Sequence, residues 1–120
     1  MKTPDAVRAL AALAQERRLS IFRLLVEAGP TGLAAGEIAL SVGVSPANLS
    51  FHLKELAHAG LVRSKQEGRF VFYSAHYGHM NELLGYLTEN CCARDGTRQP
   101  CNPTNSKSLA PKSTTKGVRS

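Results

Sequence analysis

The chain has 120 residues, 42% of them hydrophobic, and a formal net charge of +6. This length suits one domain with a tail, and no apolar run is long enough to span a membrane. Residues 1–10 lack the continuous apolar stretch of a secretory signal, so we expect a cytoplasmic protein with no membrane partner. In that compartment, cysteines more often bind metals, catalyse reactions or sense redox state than form structural disulfides.

The excess of basic residues is concentrated near the C-terminus. Residues 1–92 carry nine Lys and Arg against eight Asp and Glu, whereas residues 93–120 carry six against one. From Ala93 onward the composition is polar and almost lacks large apolar residues, which predicts a flexible tail. We therefore expect a folded domain over residues 1–92, whose function is inferred below, and a flexible basic tail over residues 93–120 that carries Cys101.

In chain order, the first half predicts three helices joined by turns. Residues 4–15 form an amphipathic helix, whose apolar stripe comprises Val7, Leu10, Ala11 and Ala14. Residues 17–28 are apolar over most of the helix circumference, so this helix is expected at the centre of the core. Residues 29–32 predict a turn, and a short helix over about 34–41 ends before Gly43.

Residues 45–60 predict a second amphipathic helix with a defined start. Ser45 can cap it, and Pro46 suits the first helical position because it has no N–H to leave unpaired. One face is apolar and comprises Leu49, Leu53, Leu56, Ala57 and Gly60. The opposite face carries short groups that can reach base edges, followed by a cation that can meet phosphate; these residues are Ala47, Asn48, Ser50, His52 and Lys54.

The remaining residues predict a β-hairpin and a last helix. Residues 61–65 and 69–74 have the alternation of strands, and residues 66–68 make a tight turn between them. A last helix over about 77–92 carries an apolar stripe of Met80, Leu83, Leu84 and Leu87. With the preceding elements this gives a mainly α (α+β) fold of about five helices and one hairpin.

Three positions predict a helix-turn-helix motif. Ala39 is small enough for close helix approach, Gly43 permits the sharp turn, and Leu49 fills the space between the helices. Ordinary packing of a helical hairpin would also explain these three residues. The polar face of the second helix and the adjacent hairpin favour DNA binding, because Lys65 and Arg69 flank the hairpin tip where they can contact phosphates.

The sequence resembles the ArsR/SmtB family of bacterial metal-responsive repressors over roughly residues 5–92. The resemblance rests on residues 33–39, 44–54, 59–62 and 67–69, and its most specific part is Ser50-x-His52-Leu53-Lys54. It implies a winged-helix homodimer, paired through its terminal helices, that represses by binding operator DNA and is released by an ion. By position, the residues expected to touch DNA are Ser45, Ala47, Asn48, Ser50 and His52. Phe51 replaces the His common in the family, so the resemblance transfers no base preference.

Two of these expectations also have physical support. A lone His on a helix is usually a surface or partly packed residue, and no second His or Cys lies one turn from His52. We therefore favour a hydrogen bond from His52 to phosphate or base over metal binding.

The apolar stripes of the two terminal helices exceed what a small core covers, and a two-fold dimer would bury them. Such a dimer would also place two recognition helices about one DNA turn apart.

All three cysteines lie near the end of the predicted domain, as Cys91, Cys92 and Cys101. Neighbouring cysteines do not readily form a disulfide, because their Cα atoms lie only ~3.8 Å apart. Three thiolates without a partnering His or carboxylate suit a soft ion. As(III) or Sb(III), or a trivalent organoarsenical, fits a set of three sulfurs, whereas zinc prefers a fourth ligand. Arg94 and Arg98 are expected to help stabilise the thiolates.

The resemblance extends to arsenic-responsive members with a cysteine pair at the end of the last helix and a third cysteine in the tail. Two other sites of the family are not matched. Residues 35–39 lack a Cys-x-Cys, and Tyr77 and Asn90 stand where a zinc site beside His79 would need Asp and His. His76 and His79 are therefore interpreted as polar residues at a helix start.

Several alternatives stay open. A redox or sulfide-responsive repressor would pair Cys101 with Cys91 or Cys92, a zinc-type sensor would use other ligands, and the thiols could be incidental. A thiol enzyme is disfavoured, because the sequence has no Cys-x-x-Cys, phosphate-binding glycine loop or βαβ pattern. No catalytic site or catalytic cofactor is expected.

Overall fold

The computed structural model describes residues 1–94, and within that range it contains five helices and a three-stranded antiparallel sheet. The elements in chain order are α1 Thr3–Leu13, α2 Glu16–Ala28, β1 Leu33–Ala34, α3 Ala35–Val42, α4 Pro46–His58, β2 Val62–Glu67, β3 Phe70–Ala75 and α5 Tyr77–Thr88. The predicted mainly α winged helix-turn-helix is confirmed. The prediction of a flexible tail with Cys101 falls almost wholly outside the described residues. Among residues 1–94, no helix is both long and apolar enough to cross a membrane.

The chain divides into two units, Met1–Met80 and Asn81–Ser120, and α2 lies at the centre of the first. It contacts α1, α3, α4 and β3, so the prediction of a central second helix is confirmed. Its Ile21 and Leu25 are fully buried. Other fully buried side chains of the core come from α3, α4 and the segment after α4, namely Ile38, Leu49, Leu56 and Leu61.

Helix α1 packs on a different face from the predicted stripe. Its buried residues are Ala6, Ala9 and Ala12, while Val7 and Leu10 are exposed. Alanines at this spacing let the backbones of α1 and α2 approach closely. Val7 and Leu10 are therefore left on the surface of the single chain, while Leu13 is half-buried.

The hairpin is longer than predicted, and its turn lies two residues further on. Strands β2 and β3 pair from Val62 with Ala75 to Glu67 with Phe70, which leaves a two-residue turn at Gly68 and Arg69. The predicted bounds of the turn, residues 66–68, are therefore wrong, because Gln66 and Glu67 belong to β2, while the prediction that Gly68 takes a positive φ is confirmed. Gly68 has a φ of 63°, as the first central position of a type II′ turn requires, and this geometry matches the strand twist.

The sheet also contains a strand that the sequence pattern did not predict. Strand β1 has only two residues, and it pairs with β3 through Leu33 opposite Tyr73 and Ala34 opposite Phe72. Two residues are too short to show alternation. The sheet order is β1-β3-β2, so β3 is its central strand.

Helix α5 ends at Thr88, short of the predicted limit at about residue 92. The Thr88 hydroxyl donates a hydrogen bond to the carbonyl of Leu84 (2.9 Å), and Asn90 has a φ of 60°. A left-handed residue cannot continue a right-handed helix. Cys91 and Cys92 consequently lie in turns beyond the helix rather than within its last turn.

Candidate nucleic-acid interface

The turn between α3 and α4 is held by backbone and side-chain hydrogen bonds. Gly43 adopts the left-handed conformation (φ 80°), and its N–H donates to the carbonyl of Ala39 (2.8 Å). The Arg17 guanidinium donates to the carbonyls of Val42 (3.1 Å) and Gly43 (3.3 Å). Leu49 is 2% exposed, so the predicted roles of Gly43 and Leu49 in the motif are confirmed. Arg17 was not singled out from the sequence, because its carbonyl partners lie 25 and 26 residues away.

Helix α4, hereafter the recognition helix, starts as the sequence predicts. The hydroxyl oxygen of Ser45 accepts a hydrogen bond from the N–H of Asn48 (3.2 Å), and Pro46 occupies the first helical position. A hydroxyl that accepts one hydrogen bond still carries its own O–H donor. Ser45 can therefore cap the helix and also donate to a phosphate.

The recognition helix separates a buried face from an exposed one. Leu49, Leu53 and Leu56 are buried, while Ala57, which was predicted on the same face, is exposed. Ala57 lies about 75° from the centre of the leucine stripe at 100° per residue, so it falls at the edge of that face. Five residues predicted to contact DNA are exposed on or beside this helix, namely Ser45, Ala47, Asn48, Ser50 and Lys54.

His52 differs from the other predicted contacts because it is half-buried. Its Nδ1 is buried and has no hydrogen-bond partner among the described residues. Burial, followed by the positive charges of Arg18 and Arg17, lowers the pKa of His52 below its ordinary value. These surroundings favour the uncharged ring, and because Nδ1 is buried, a contact with DNA has to use the Nε2 edge.

Phe51 occupies the middle of the exposed face of the recognition helix. At 100° per residue it lies within about 15° of the line opposite the buried leucine stripe. Its side chain is 56% exposed, and its ring centroid lies 5.8 Å from that of His52. Phe51 is not among the predicted contacts, although a helical projection of the sequence places it at this position.

The hairpin, hereafter the wing, carries both predicted cations on its exposed surface. The Lys65 ammonium lies 3.2 Å from the carboxylate of Glu67, so part of its charge is already compensated. Arg69 is exposed in the turn at the tip. Because an exposed ion pair of this kind is worth little, Lys65 can exchange Glu67 for a phosphate at small cost.

Cys91 and Cys92, hereafter the thiol pair, follow the end of α5. Their sulfur atoms lie 3.6 Å apart, Cys91 is exposed and Cys92 is half-buried. Cys92 has a φ of 63°, a conformation that costs a residue with a side chain about 1 kcal/mol. Among residues 1–94 there is no group of three His, Cys, Asp or Glu placed to hold a metal ion. Cys101 and Arg98, which the sequence places with the pair, lie outside the described residues.

The residues at the start of α5, near which some family members bind zinc, make contacts within the domain. The Tyr77 hydroxyl donates to the carbonyls of Val26 (2.9 Å) and Leu25 (3.3 Å). The N–H of His79 donates to Nδ1 of His76 (3.1 Å), which caps the helix start.

The ring of His79 covers Gly60 so closely that a Cβ there would lie 2.9 Å from Nε2. His76, Tyr77 and His79 therefore all have structural contacts, as the interpretation of the two histidines as residues of a helix start requires.

Comparison with known proteins agrees with this architecture. Residues 13–65 match a family model described as a helix-turn-helix domain. The chain is 33% identical over 87 residues to the transcriptional activator HlyU of Vibrio cholerae, which covers 72% of this chain and 78% of HlyU. It is 39% identical over 66 residues to the transcriptional regulator CmtR of Mycobacterium bovis, and it spans about half of that protein (55% of each chain).

Solved structures show the same similarity. An ArsR-like transcriptional regulator from Rhodococcus sp. RHA1 superposes with a TM-score of 0.68 at 28% identity and covers 77% of this chain and 84% of its own. The similarity extends over the helix-turn-helix and the wing, and it reaches most of the length of the Rhodococcus protein.

Proposed function

Because this chain belongs to the ArsR family of helix-turn-helix transcriptional regulators, we propose that it is an arsenic(III)-responsive repressor. It is a regulator and not an enzyme. In this proposal a homodimer binds operator DNA and is released when As(III) or Sb(III) binds Cys91, Cys92 and Cys101. The observation that carries the proposal is the distance of 3.6 Å between the sulfurs of Cys91 and Cys92.

This distance suits a single ion bound by both sulfurs. With the zinc–sulfur bond length of about 2.3 Å as a guide, sulfurs 3.6 Å apart subtend an angle of about 100° at the ion. Because this angle suits tetrahedral zinc as well as a pyramidal ion, the choice of a soft trivalent ion rests on a donor set of three thiolates without a fourth ligand. Cys101 follows Cys92 by nine residues, a separation that a flexible segment can close at low entropic cost.

DNA binding is proposed through the recognition helix and the wing. The predicted contacts are Ser45, Ala47, Asn48, Ser50, His52, Lys54, Lys65 and Arg69. All of them except His52 are exposed, and none of the seven is needed in the core. The small residues at the start of the helix let its backbone approach base edges, while Lys54 and the wing cations suit phosphates.

Self-association is proposed through the terminal helices. Val7 and Leu10 of α1 are exposed, and so are Leu84 and Leu87 of α5. Exposed apolar residues repeated along one helix are typical of an interface. We expect wild-type protein to sediment as a dimer, and Leu87→Glu to sediment as a monomer that binds DNA more weakly. Wild-type protein that sediments as a monomer at micromolar concentration would contradict the proposal.

The ion has to act through a difference in affinity. It releases DNA only if it binds the free dimer more tightly than the DNA-bound dimer, and DNA then weakens ion binding by the same factor. At the start of α5, the Tyr77 hydroxyl is bonded to the carbonyls of Leu25 and Val26 of the central helix α2.

A titration of the reduced protein bound to its promoter DNA tests the inducer. Arsenite and antimonite are expected to release the DNA, while zinc is not. A response to zinc without one to arsenite would reject the arsenic assignment in favour of a zinc-type sensor. A reporter gene under the same promoter then gives the sign of regulation, since the similar HlyU carries the name of an activator.

The variant Cys101→Ser tests the third ligand. Loss of the arsenite response with retention of the response to a phenylarsenical would indicate three-sulfur binding of the inorganic ion, because a trivalent phenylarsenical needs only two sulfurs. If both responses survive, Cys101 is not a ligand. Oxidant-driven release that reverses with a thiol reductant and does not need arsenic would favour the redox alternative, in which Cys101 pairs with Cys91 or Cys92.

A further inference from the structure

The recognition helix presents a narrow apolar strip at the centre of an otherwise polar surface. Phe51 lies opposite the buried leucines, and Ala47 lies one turn before it on the same line. Asn48 and Ser50 border the strip on its two sides, and Lys54 follows it; all three are exposed. A helix that docks with this face would therefore press the strip, rather than the polar groups, deepest into its partner.

The fold does not account for an aromatic residue at this position. Phe51 is 56% exposed, and its aromatic contact is with His52 at a centroid distance of 5.8 Å, on the same helix. The exposed part of the Phe51 side chain gains nothing from the hydrophobic effect in the free protein, so the burial of that part is available to a partner.

Double-stranded DNA, the partner proposed above, carries one apolar group in its major groove that matches this strip, the methyl group of thymine. In the major groove of B-DNA the bases present hydrogen-bond donors and acceptors, and thymine alone among the four bases adds a C5-methyl group. Alanine and phenylalanine side chains make apolar contact with that methyl. Lys54, one turn beyond Ser50 and about two turns beyond Ala47, supplies a positive charge at the edge of the same face for the phosphates.

We propose that Phe51, together with Ala47, reads thymine methyl groups in the operator and thereby determines part of its base preference. The inference rests on the proposed function, because it requires that the recognition helix enters the major groove. It adds a specificity-determining residue of defined chemistry at a position where the family resemblance gives no guidance.

The test compares thymine with uracil, which lacks only the methyl group. Duplexes that bind the wild-type protein are first selected from a randomised library. Each thymine of the best duplex is then replaced singly by deoxyuridine, and affinities are measured for wild-type protein, Phe51→Ala and Leu40→Ala. Leu40 is a matched control because it is a large exposed apolar residue (87%) on the other helix of the motif.

At one or more thymines in each half-site, deoxyuridine should weaken the wild-type protein about fourfold, the effect of losing one buried methyl group. At one or more of these thymines Phe51→Ala should bind the thymine and uracil duplexes equally, while a thymine contacted by Ala47 keeps its effect; Leu40→Ala should retain the fourfold difference at all of them. Phe51→Leu, which keeps an apolar side chain, should retain part of it. An equal loss for wild-type and Phe51→Ala at every thymine would overturn the inference.

The two proposals fail in different ways in this experiment. If no duplex is enriched, the proposed DNA-binding function fails and the inference fails with it. If a duplex is enriched and no thymine shows a Phe51-dependent methyl effect, the function stands and the role of Phe51 is rejected. Thermal unfolding of each variant checks that it is folded. A lower melting temperature would reduce the affinity for the thymine and uracil duplexes alike, so it would not change the ratio of the two affinities.

Discussion

The recognition helix and the thiol pair differ in what holds their side chains in place. Leu49, Leu53 and Leu56 bury one face of the helix, so its opposite face is presented in a fixed orientation before any DNA binds. Cys91 and Cys92 lie in turns past the end of α5, and Cys92 has a left-handed backbone conformation. A DNA-binding surface can thus be built by packing, whereas a sensor benefits from a backbone that an ion can rearrange at small cost.

The largest effect is expected from removing the packing under the recognition helix. Leu49→Ala should lower the free energy of unfolding by about 2–5 kcal/mol, because Leu49 is 2% exposed and its removal leaves a cavity. Leu40→Ala on the preceding helix should change it by less than about 0.5 kcal/mol. Urea unfolding measures both. Equal losses for the two variants would show that the recognition helix is not held by its buried face.

A smaller loss is expected at the glycines that shape the turns of the first unit. Gly32 and Gly43 both have positive φ (79° and 80°), so alanine is strained at either position. At Gly43 a Cβ meets nothing within 4 Å, while at Gly32 it would overlap the backbone carbonyl of Tyr73. Gly43→Ala should therefore cost about 1 kcal/mol.

Gly32→Ala should cost more than Gly43→Ala, because it also separates β1 from β3. Thermal unfolding of the two variants gives the comparison directly. A larger loss of stability for Gly43→Ala than for Gly32→Ala would indicate that the backbone conformation at Gly43, rather than the space around it, limits the substitution.

The sequence predicted the helix-turn-helix more fully than the turn of the wing and the buried face of α1, and the reason is the range of the interactions. Ser45, Pro46 and Gly43 act on backbone within a few residues of themselves, so their roles could be inferred locally. Gly68 was correctly placed in the turn of the wing, but the predicted turn began two residues too early because the strand pairing extends to Glu67 and Phe70. The burial of Ala6 in place of Val7 depends on a neighbouring helix, and no local pattern contains it.

A modest effect with a defined sign is expected from His52. Burial and the charges of Arg18 and Arg17 lower its pKa below the ordinary value of about 6.5. Below about pH 6.5 the unfolded chain therefore binds more protons than the folded one, and the free energy of unfolding falls as the pH decreases.

His52→Gln removes this group and should show a smaller loss of stability between about pH 7.5 and about pH 5 than the wild type. Urea unfolding at the two pH values measures the difference. A steeper loss in the variant would mean that His52 is stabilised in its charged form by the fold.

The smallest effect on stability is expected from replacing the thiol pair, although the same change should abolish the response to arsenite. Changing both Cys91 and Cys92 to Ser should alter the free energy of unfolding by less than about 1 kcal/mol, because Cys91 is exposed, Cys92 is only half-buried and both lie past the end of α5. DNA affinity without arsenite should also be unchanged, while release by arsenite is lost. If the double variant instead unfolds more easily and binds DNA weakly, the pair supports the fold, and the separation between a packed DNA-binding surface and an adaptable sensor does not hold.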